Sequence, residues 1–216
     1  MNANLTLSPL PDSLRQPRRD GSARRQRIGD YQIDPDALRH FNELLERLDL
    51  SHPPLDSDQV ASAARELVDQ PHPARAPPCI LQRVRRGAAI DMMLADPDWD
   101  TDARRAEVAA MVASYMRGNH ELIPNQLPVV GRLDDAILVE ESWPSLAQEV
   151  ADYLDFCRLR HIEAALRGEG RRRRFGFTRE QWRNAAAAER AWIEHIRRVD
   201  TVSYVPSGPV PRFRVG

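Results

Sequence analysis

The sequence contains no lysine at all, and every one of its 31 basic residues is arginine, a bias typical of GC-rich bacterial genomes. Acidic residues number 32, so the formal net charge is −1 and no overall field directs the chain to nucleic acid. Only two cysteines are present, too few for a disulfide framework. No apolar run approaches the roughly 20 residues that a membrane-spanning helix needs. These absences predict a soluble, cytoplasmic bacterial protein without a transmembrane segment.

Composition divides the chain into an arm, one helical domain and a tail. Residues 1–32 are rich in Ser, Pro, Gly and Arg and lack apolar periodicity, which predicts a disordered arm. Residues 33–200 are predicted to form a single helical domain, and 201–216 an extended tail. The domain comprises an N-terminal helical pair (33–70), a proline-rich linker (71–78), a helical core (79–168), an arginine-rich linker (169–177) and a C-terminal helix (178–200).

Apolar residues recur at helical spacing in about seven stretches, which predicts an all-α fold, an irregular helical bundle. No β-hairpin is predicted. Capping residues or prolines mark most of the predicted helix starts, at Asp34 with Pro35, Asp56 or Ser57, Pro78, Asp100 or Thr101, Leu133, Pro144, and Thr178 with Gln181. The two prolines at 35 and 144 are each read as the first residue of a new helix.

The seventh predicted helix has an apolar face that includes two tryptophans. Core packing is the favoured explanation for this face. If the face is exposed instead, it predicts a surface for binding a partner. Its members are Trp182, Ala185, Ala186, Trp192, Ile193 and Ile196.

The segment between the fourth and fifth predicted helices has a composition that helix periodicity does not explain. Pro124 and Pro128 bias the residues before them to extended geometry, so the chain must turn there. Gly131 permits a close approach or a positive φ. Asp134 and Asp135 fall in the first turn of the next helix, where each negative charge is favoured by about 0.3–1 kcal/mol. The favoured interpretation is a rigid corner between two helices.

The same segment, YMRGNHELIPNQLPVVGRLDD, resembles the signature of the YkvA-like family, a bacterial domain of unknown function. The resemblance covers roughly residues 85–145 and implies no settled activity. One formal charge is lost where this sequence departs from the family pattern, at Gly118, Asn119, Glu121, Asn125 and Arg132. Many members of the family resemble small membrane proteins, but charged residues in the corresponding stretches of this chain predict otherwise. The matching residues are Leu122, Ile123, Pro124, Pro128, Val129, Gly131, Leu133, Asp134 and Asp135.

A functional alternative treats the corner as a site for a divalent cation. Glu121, Asp134 and Asp135 would be the metal ligands, with Asn125 as a neutral oxygen donor, and oxygen ligands suit Mg²⁺, Mn²⁺ or Ca²⁺. His120 would be the nearest acid–base group. Such a site would be structural or would support a metal-dependent enzyme.

A second alternative uses the one dense basic run, Arg171, Arg172, Arg173 and Arg174. This run could bind nucleic acid, an anionic membrane surface or an acidic protein, with Phe175 and Phe177 stacking on bases or entering a lipid interface. A solvated linker is the favoured interpretation, because the whole-chain charge is balanced.

No phosphate-binding loop, nucleophile elbow or zinc-protease motif is present in the sequence. The leading hypothesis is therefore a non-catalytic binding or regulatory module built around the corner, with a protein partner or a second copy of the chain as its target.

Overall fold

The computed structural model describes residues 7–16, 25–48, 53–70, 76–118, 121–168 and 175–202. These residues form six α-helices, one short 3₁₀-helix and one two-stranded sheet, so the all-α prediction is confirmed. Within the described ranges, no helix is long and apolar enough to cross a membrane. The helices are α1 (Pro35–Leu48), α2 (Ser57–Val68), α3 (Pro78–Leu94), α4 (Ala103–Arg117), α5 (Leu133–Leu166) and α6 (Arg179–Val202).

The chain divides into two compact units, Met1–Leu154 and Asp155–Gly216. The first unit contains α1 to α4 and the first part of α5, and the second contains the rest of α5 and α6. Composition gave no sign of this boundary, because it falls inside a helix rather than in a linker. The predicted linker at 71–78 and the predicted tail lie outside the described residues at 71–75 and 203–216.

Local capping chemistry sets two of the helix starts as predicted. The Asp56 carboxylate accepts a hydrogen bond from the Gln59 amide at 2.8 Å, and the Gln59 side chain accepts one from the Asp56 amide at 2.9 Å. In the same way, the Thr178 hydroxyl accepts from the Gln181 amide at 3.3 Å, and the Gln181 side chain accepts from the Thr178 amide at 2.8 Å. Each pair satisfies two amides that have no partner within the helix.

The start of α4 lies one or two residues later than the sequence predicted. Asp102 caps the helix, and its carboxylate accepts from the Arg105 amide at 3.2 Å. The prediction named Asp100 or Thr101, which are also good capping residues. Residue type alone does not decide among three adjacent candidates, because the cap is fixed by where the helical backbone begins.

The predicted fifth and sixth helices are one continuous helix, and the predicted break at Pro144 is wrong. A proline inside a helix cannot donate to the carbonyl four residues earlier, here that of Glu140. Two hydroxyls supply donors to carbonyls beside it: Ser142 donates to the Val139 carbonyl at 3.0 Å, and Ser145 to the Ser142 carbonyl at 2.8 Å. Neither hydroxyl donates to the Glu140 carbonyl, so the helix continues past the proline because its residues on both sides, Val139 among them, are buried in the core.

Two parts of the predicted disordered arm are structured, at residues 7–16 and 25–32. The first contains the 3₁₀-helix Asp12–Arg15, and the second contains strands β1 (Arg27–Ile28) and β2 (Tyr31–Gln32), paired antiparallel. A two-residue turn with Gly29 at φ 58° joins the strands, a conformation that favours glycine. This hairpin was not predicted, because strands of two residues carry no alternating pattern. The buried side chains of both parts include Leu10, Ser13 and Ile28.

A buried arginine connects the N-terminal segment to the helices of the first unit. Arg83 of α3 is only 1% exposed, and its Nε lies 2.9 Å from Glu140 Oε2 of α5. Its Nη1 donates to the Ser8 carbonyl at 2.8 Å and to the Cys79 carbonyl at 3.0 Å. A buried cation is tolerated only when paired and hydrogen-bonded, and Arg83 meets both conditions.

Candidate functional site

The corner between α4 and α5 is a compact turn, as the prolines predicted. Backbone hydrogen bonds close it, from the Leu127 amide to the Pro124 carbonyl at 2.9 Å and from the Gly131 amide to the Leu127 carbonyl at 3.0 Å. A side chain at Gly131 would place its Cβ 2.4 Å from the Asn125 carbonyl oxygen. Close backbone approach, rather than a positive φ, is therefore the reason for this glycine.

Asp134 lies at the centre of a buried hydrogen-bond network. Its Oδ2 accepts from the Tyr115 hydroxyl at 2.8 Å and from the Ile123 amide at 3.1 Å, and its Oδ1 accepts from the Asp135 amide at 3.0 Å. The Tyr115 hydroxyl accepts in turn from the Leu122 amide at 2.9 Å. Asp134 is 1% exposed, so these donors replace the water that the carboxylate loses on folding. The network joins the last turn of α4 to the first turn of α5.

Burial controls the acid–base properties of this network. It raises the pKa of Asp134 to about 6, although the hydrogen bonds from Ile123 and Tyr115 act in the opposite direction. It also raises the pKa of Tyr115 well above its ordinary value, with the Asp134 charge adding to the effect. The three donors favour the ionised form of Asp134, because that form only accepts, but burial outweighs them and the net shift of the pKa is upward.

The other predicted ligands face different partners. Asp135 is buried and accepts from Arg132 Nε at 2.8 Å; burial raises its pKa, and the arginine opposes that rise. Glu121 accepts from the Asn125 amide at 3.0 Å and from the Asn125 side chain. Across the described ranges, no group of three or more His, Cys, Asp or Glu side chains is arranged to hold a metal ion. Glu121, Asp134 and Asp135 are therefore not gathered around one point.

Several predicted site residues lie outside the described residues, namely His120 and the run Arg171, Arg172, Arg173 and Arg174. Next to that run, Phe177 is only 4% exposed, and its ring lies 5.5 Å from that of Phe156. Phe177 therefore cannot stack on bases or enter lipid, as the second alternative allowed, because its ring is already packed inside the second unit.

The apolar face of α6 is half-buried over its first half and exposed over its second. Trp182 is half-buried, and its indole nitrogen donates to Asp155 Oδ2 at 2.9 Å. Further along the helix, Trp192 is 63% exposed, Ile193 and Ile196 are each 41% exposed, and Val199 is 52% exposed. The prediction that Trp192, Ile193 and Ile196 are core residues is wrong. We call Trp192, Ile193, Ile196 and Val199 the α6 face.

Ion pairs attach the first half of α6 to α5 within the second unit. Arg158 Nη1 donates to Glu189 Oε1 at 2.9 Å, while Arg158 Nε donates to Asp155 Oδ1 at 2.9 Å. Hydrogen bonds from Arg158 hold the pKa of Glu189 below its usual range. The α6 face begins one turn beyond Glu189, and helical periodicity alone could not reveal that it is exposed among the described residues.

No protein-family model matches the chain, no curated protein matches it in sequence, and no solved structure matches its fold. The resemblance of the corner to the YkvA-like signature therefore remains a prediction. The geometry has to be interpreted from the residues themselves.

Proposed function

We propose that this chain is a non-catalytic binding module that contacts its partner through the α6 face. The observation that carries the proposal is the exposure of four large apolar side chains along two turns of one helix. Leaving such a patch in water is unfavourable, and contiguous apolar patches rimmed by polar residues commonly mark interaction sites.

In this proposal the corner has a structural role and is not the binding site. Its two buried carboxylates already accept hydrogen bonds from the chain, Asp134 from three donors and Asp135 from Arg132. A cation or substrate at Asp134 would have to displace those donors from a buried position, at a cost of about 1–3 kcal/mol for each group left unsatisfied. The divalent-metal and metal-dependent enzyme alternatives are therefore less favoured.

We infer a bacterial, cytoplasmic protein in which the YkvA-like corner holds α4 and α5 at a fixed turn. A protein, a second copy or a membrane surface each has apolar groups that could cover the α6 face.

The proposal is tested by measuring what the immobilised chain retains from a crude bacterial extract that still contains its membranes. The full chain is immobilised through a tag, and retained protein and phospholipid are measured separately. The wild-type chain should retain material that the double variant Ile193→Gln/Ile196→Gln loses. Because both residues are 41% exposed, the variant should keep the helical content and melting temperature of the wild type.

Two matched variants serve as controls. Met92→Gln removes an apolar side chain of α3 that is 54% exposed, and it should leave retention unchanged. Glu121→Gln alters the exposed part of the corner and should also have no effect. Equal retention by the wild type and the Ile193→Gln/Ile196→Gln variant would refute the proposal.

A further inference from the structure

The net charge of −1 conceals a strong separation of charge between the two units. Residues 155–216 contain 14 arginines and 7 acidic residues, an excess of 7 positive charges. Residues 1–154 contain 17 arginines and 25 acidic residues, an excess of 8 negative charges. The α6 face therefore belongs to a strongly basic unit, and the balanced whole-chain charge is not evidence against an anionic partner.

Arginines also border the α6 face itself. Arg190 lies three residues before Ile193 and Arg197 four residues after it, so both are next to that side chain along one edge of the helix. On the other edge, the imidazole of His195 is stacked on the indole of Trp192, with ring centroids 5.9 Å apart. The second half of α6 is therefore an amphipathic helix with an exposed tryptophan and a cationic edge.

This combination fits the interface of a lipid bilayer. A helix there buries its apolar side chains at the boundary of the acyl chains, places tryptophan at the headgroup level, and extends arginine towards anionic headgroups. The three aliphatic side chains of the α6 face would find no matching apolar surface on a nucleic acid, which presents phosphates and polar base edges. An acidic protein would also complement the positive charge of the second unit, but no feature of α6 indicates that it fits a groove on a protein partner.

We propose that the α6 face, bordered by Arg190 and Arg197, docks in the plane of an anionic lipid surface and attaches the protein to it reversibly. The inference rests on the proposed function, because it names the partner of the same face. Anionic lipids would supply the charge complement of the basic unit, and the acyl boundary would cover the apolar side chains.

Binding of the full chain to vesicles tests this proposal. Vesicles of equal parts phosphatidylglycerol and phosphatidylcholine are compared with vesicles of phosphatidylcholine alone, by co-sedimentation and by tryptophan emission. The chain should bind the anionic vesicles, with a blue shift that Trp192→Phe removes, and binding should weaken as salt is raised. Arg190→Gln/Arg197→Gln should weaken binding about fivefold per arginine, and Ile193→Gln/Ile196→Gln at least about tenfold.

A charge-matched control separates the edge of α6 from net charge. Arg85→Gln/Arg104→Gln removes two exposed arginines of α3 and α4 and should leave vesicle binding within about twofold of the wild type. Failure of the wild type to bind anionic vesicles, or equal binding by the α6 and control variants, would overturn the lipid proposal. If retention from the extract still depended on Ile193 and Ile196, the proposed function would stand. Concentration-dependent dimerisation or retention on duplex DNA without vesicle binding would identify another partner and would also overturn it.

Discussion

The hydroxyl of Tyr115 provides the sharpest test of how the corner is held. Tyr115→Phe removes one oxygen atom that donates to Asp134 at 2.8 Å and accepts from the Leu122 amide at 2.9 Å. Both partners are buried and would be left short of a hydrogen bond. Each such loss costs about 1–3 kcal/mol, and more when the group is charged, so the variant should lose about 2–5 kcal/mol of unfolding free energy.

Urea unfolding measures that loss as a lower midpoint at unchanged slope. Amide hydrogen exchange should report the same event locally, as faster exchange at Leu122 and Ile123. Tyr31→Phe is the matched control, because its hydroxyl donates only to the Leu122 carbonyl, at 3.0 Å, from a half-buried ring. That variant should lose no more than about 1.5 kcal/mol. If the two variants lose equal stability, the network around Asp134 does not hold the corner.

Three further outcomes follow from the same geometry. Because burial raises the pKa of Asp134 from 3.8 to about 6, protonation of this carboxyl stabilises the folded state. This stabilisation, about 3 kcal/mol of unfolding free energy, is fully present below about pH 4 and is lost as the pH rises through 6. In Asp134→Asn, the urea midpoint should not show this fall with rising pH. Gly131→Ala should destabilise by at least about 1–3 kcal/mol in thermal or urea unfolding, whereas Gly176→Ala, with open space around its Cβ, should be neutral. Millimolar Mg²⁺, Mn²⁺ or Ca²⁺ should leave the melting temperature unchanged, and a clear rise would restore the metal hypothesis for the corner.

Features set by neighbouring residues could be predicted from the sequence. The capping pair Thr178–Gln181 depends on side chains three residues apart, and it forms as predicted. The sequence also predicted that α2 starts at Asp56 or Ser57, and the Asp56–Gln59 pair makes Asp56 the cap. Pro144 was misread for a related reason. A proline at the first position of a helix and one inside a longer helix have similar local sequences, and only the surrounding packing distinguishes them.

Features set by distant residues could not be predicted. Periodicity placed Trp192 on an apolar face, but whether another element covers that face depends on tertiary structure. Asp134 was correctly assigned to the first turn of a helix, yet its burial and its bond to Tyr115 join residues 19 apart. The sequence therefore identified the corner as a turn, but not the network that holds it.

The environment of Arg83 has a practical consequence for anyone trimming the protein. Composition alone recommends starting a shortened version at residue 33, after the arginine- and proline-rich segment. Such a version would delete the Ser8 carbonyl that accepts from the Arg83 guanidinium at 2.8 Å, together with the Leu10 side chain, which is 7% exposed. A cation in the interior would then be short of an acceptor, so the apparently dispensable residues 7–16 belong to the folded unit and should be kept in any crystallisation or screening effort.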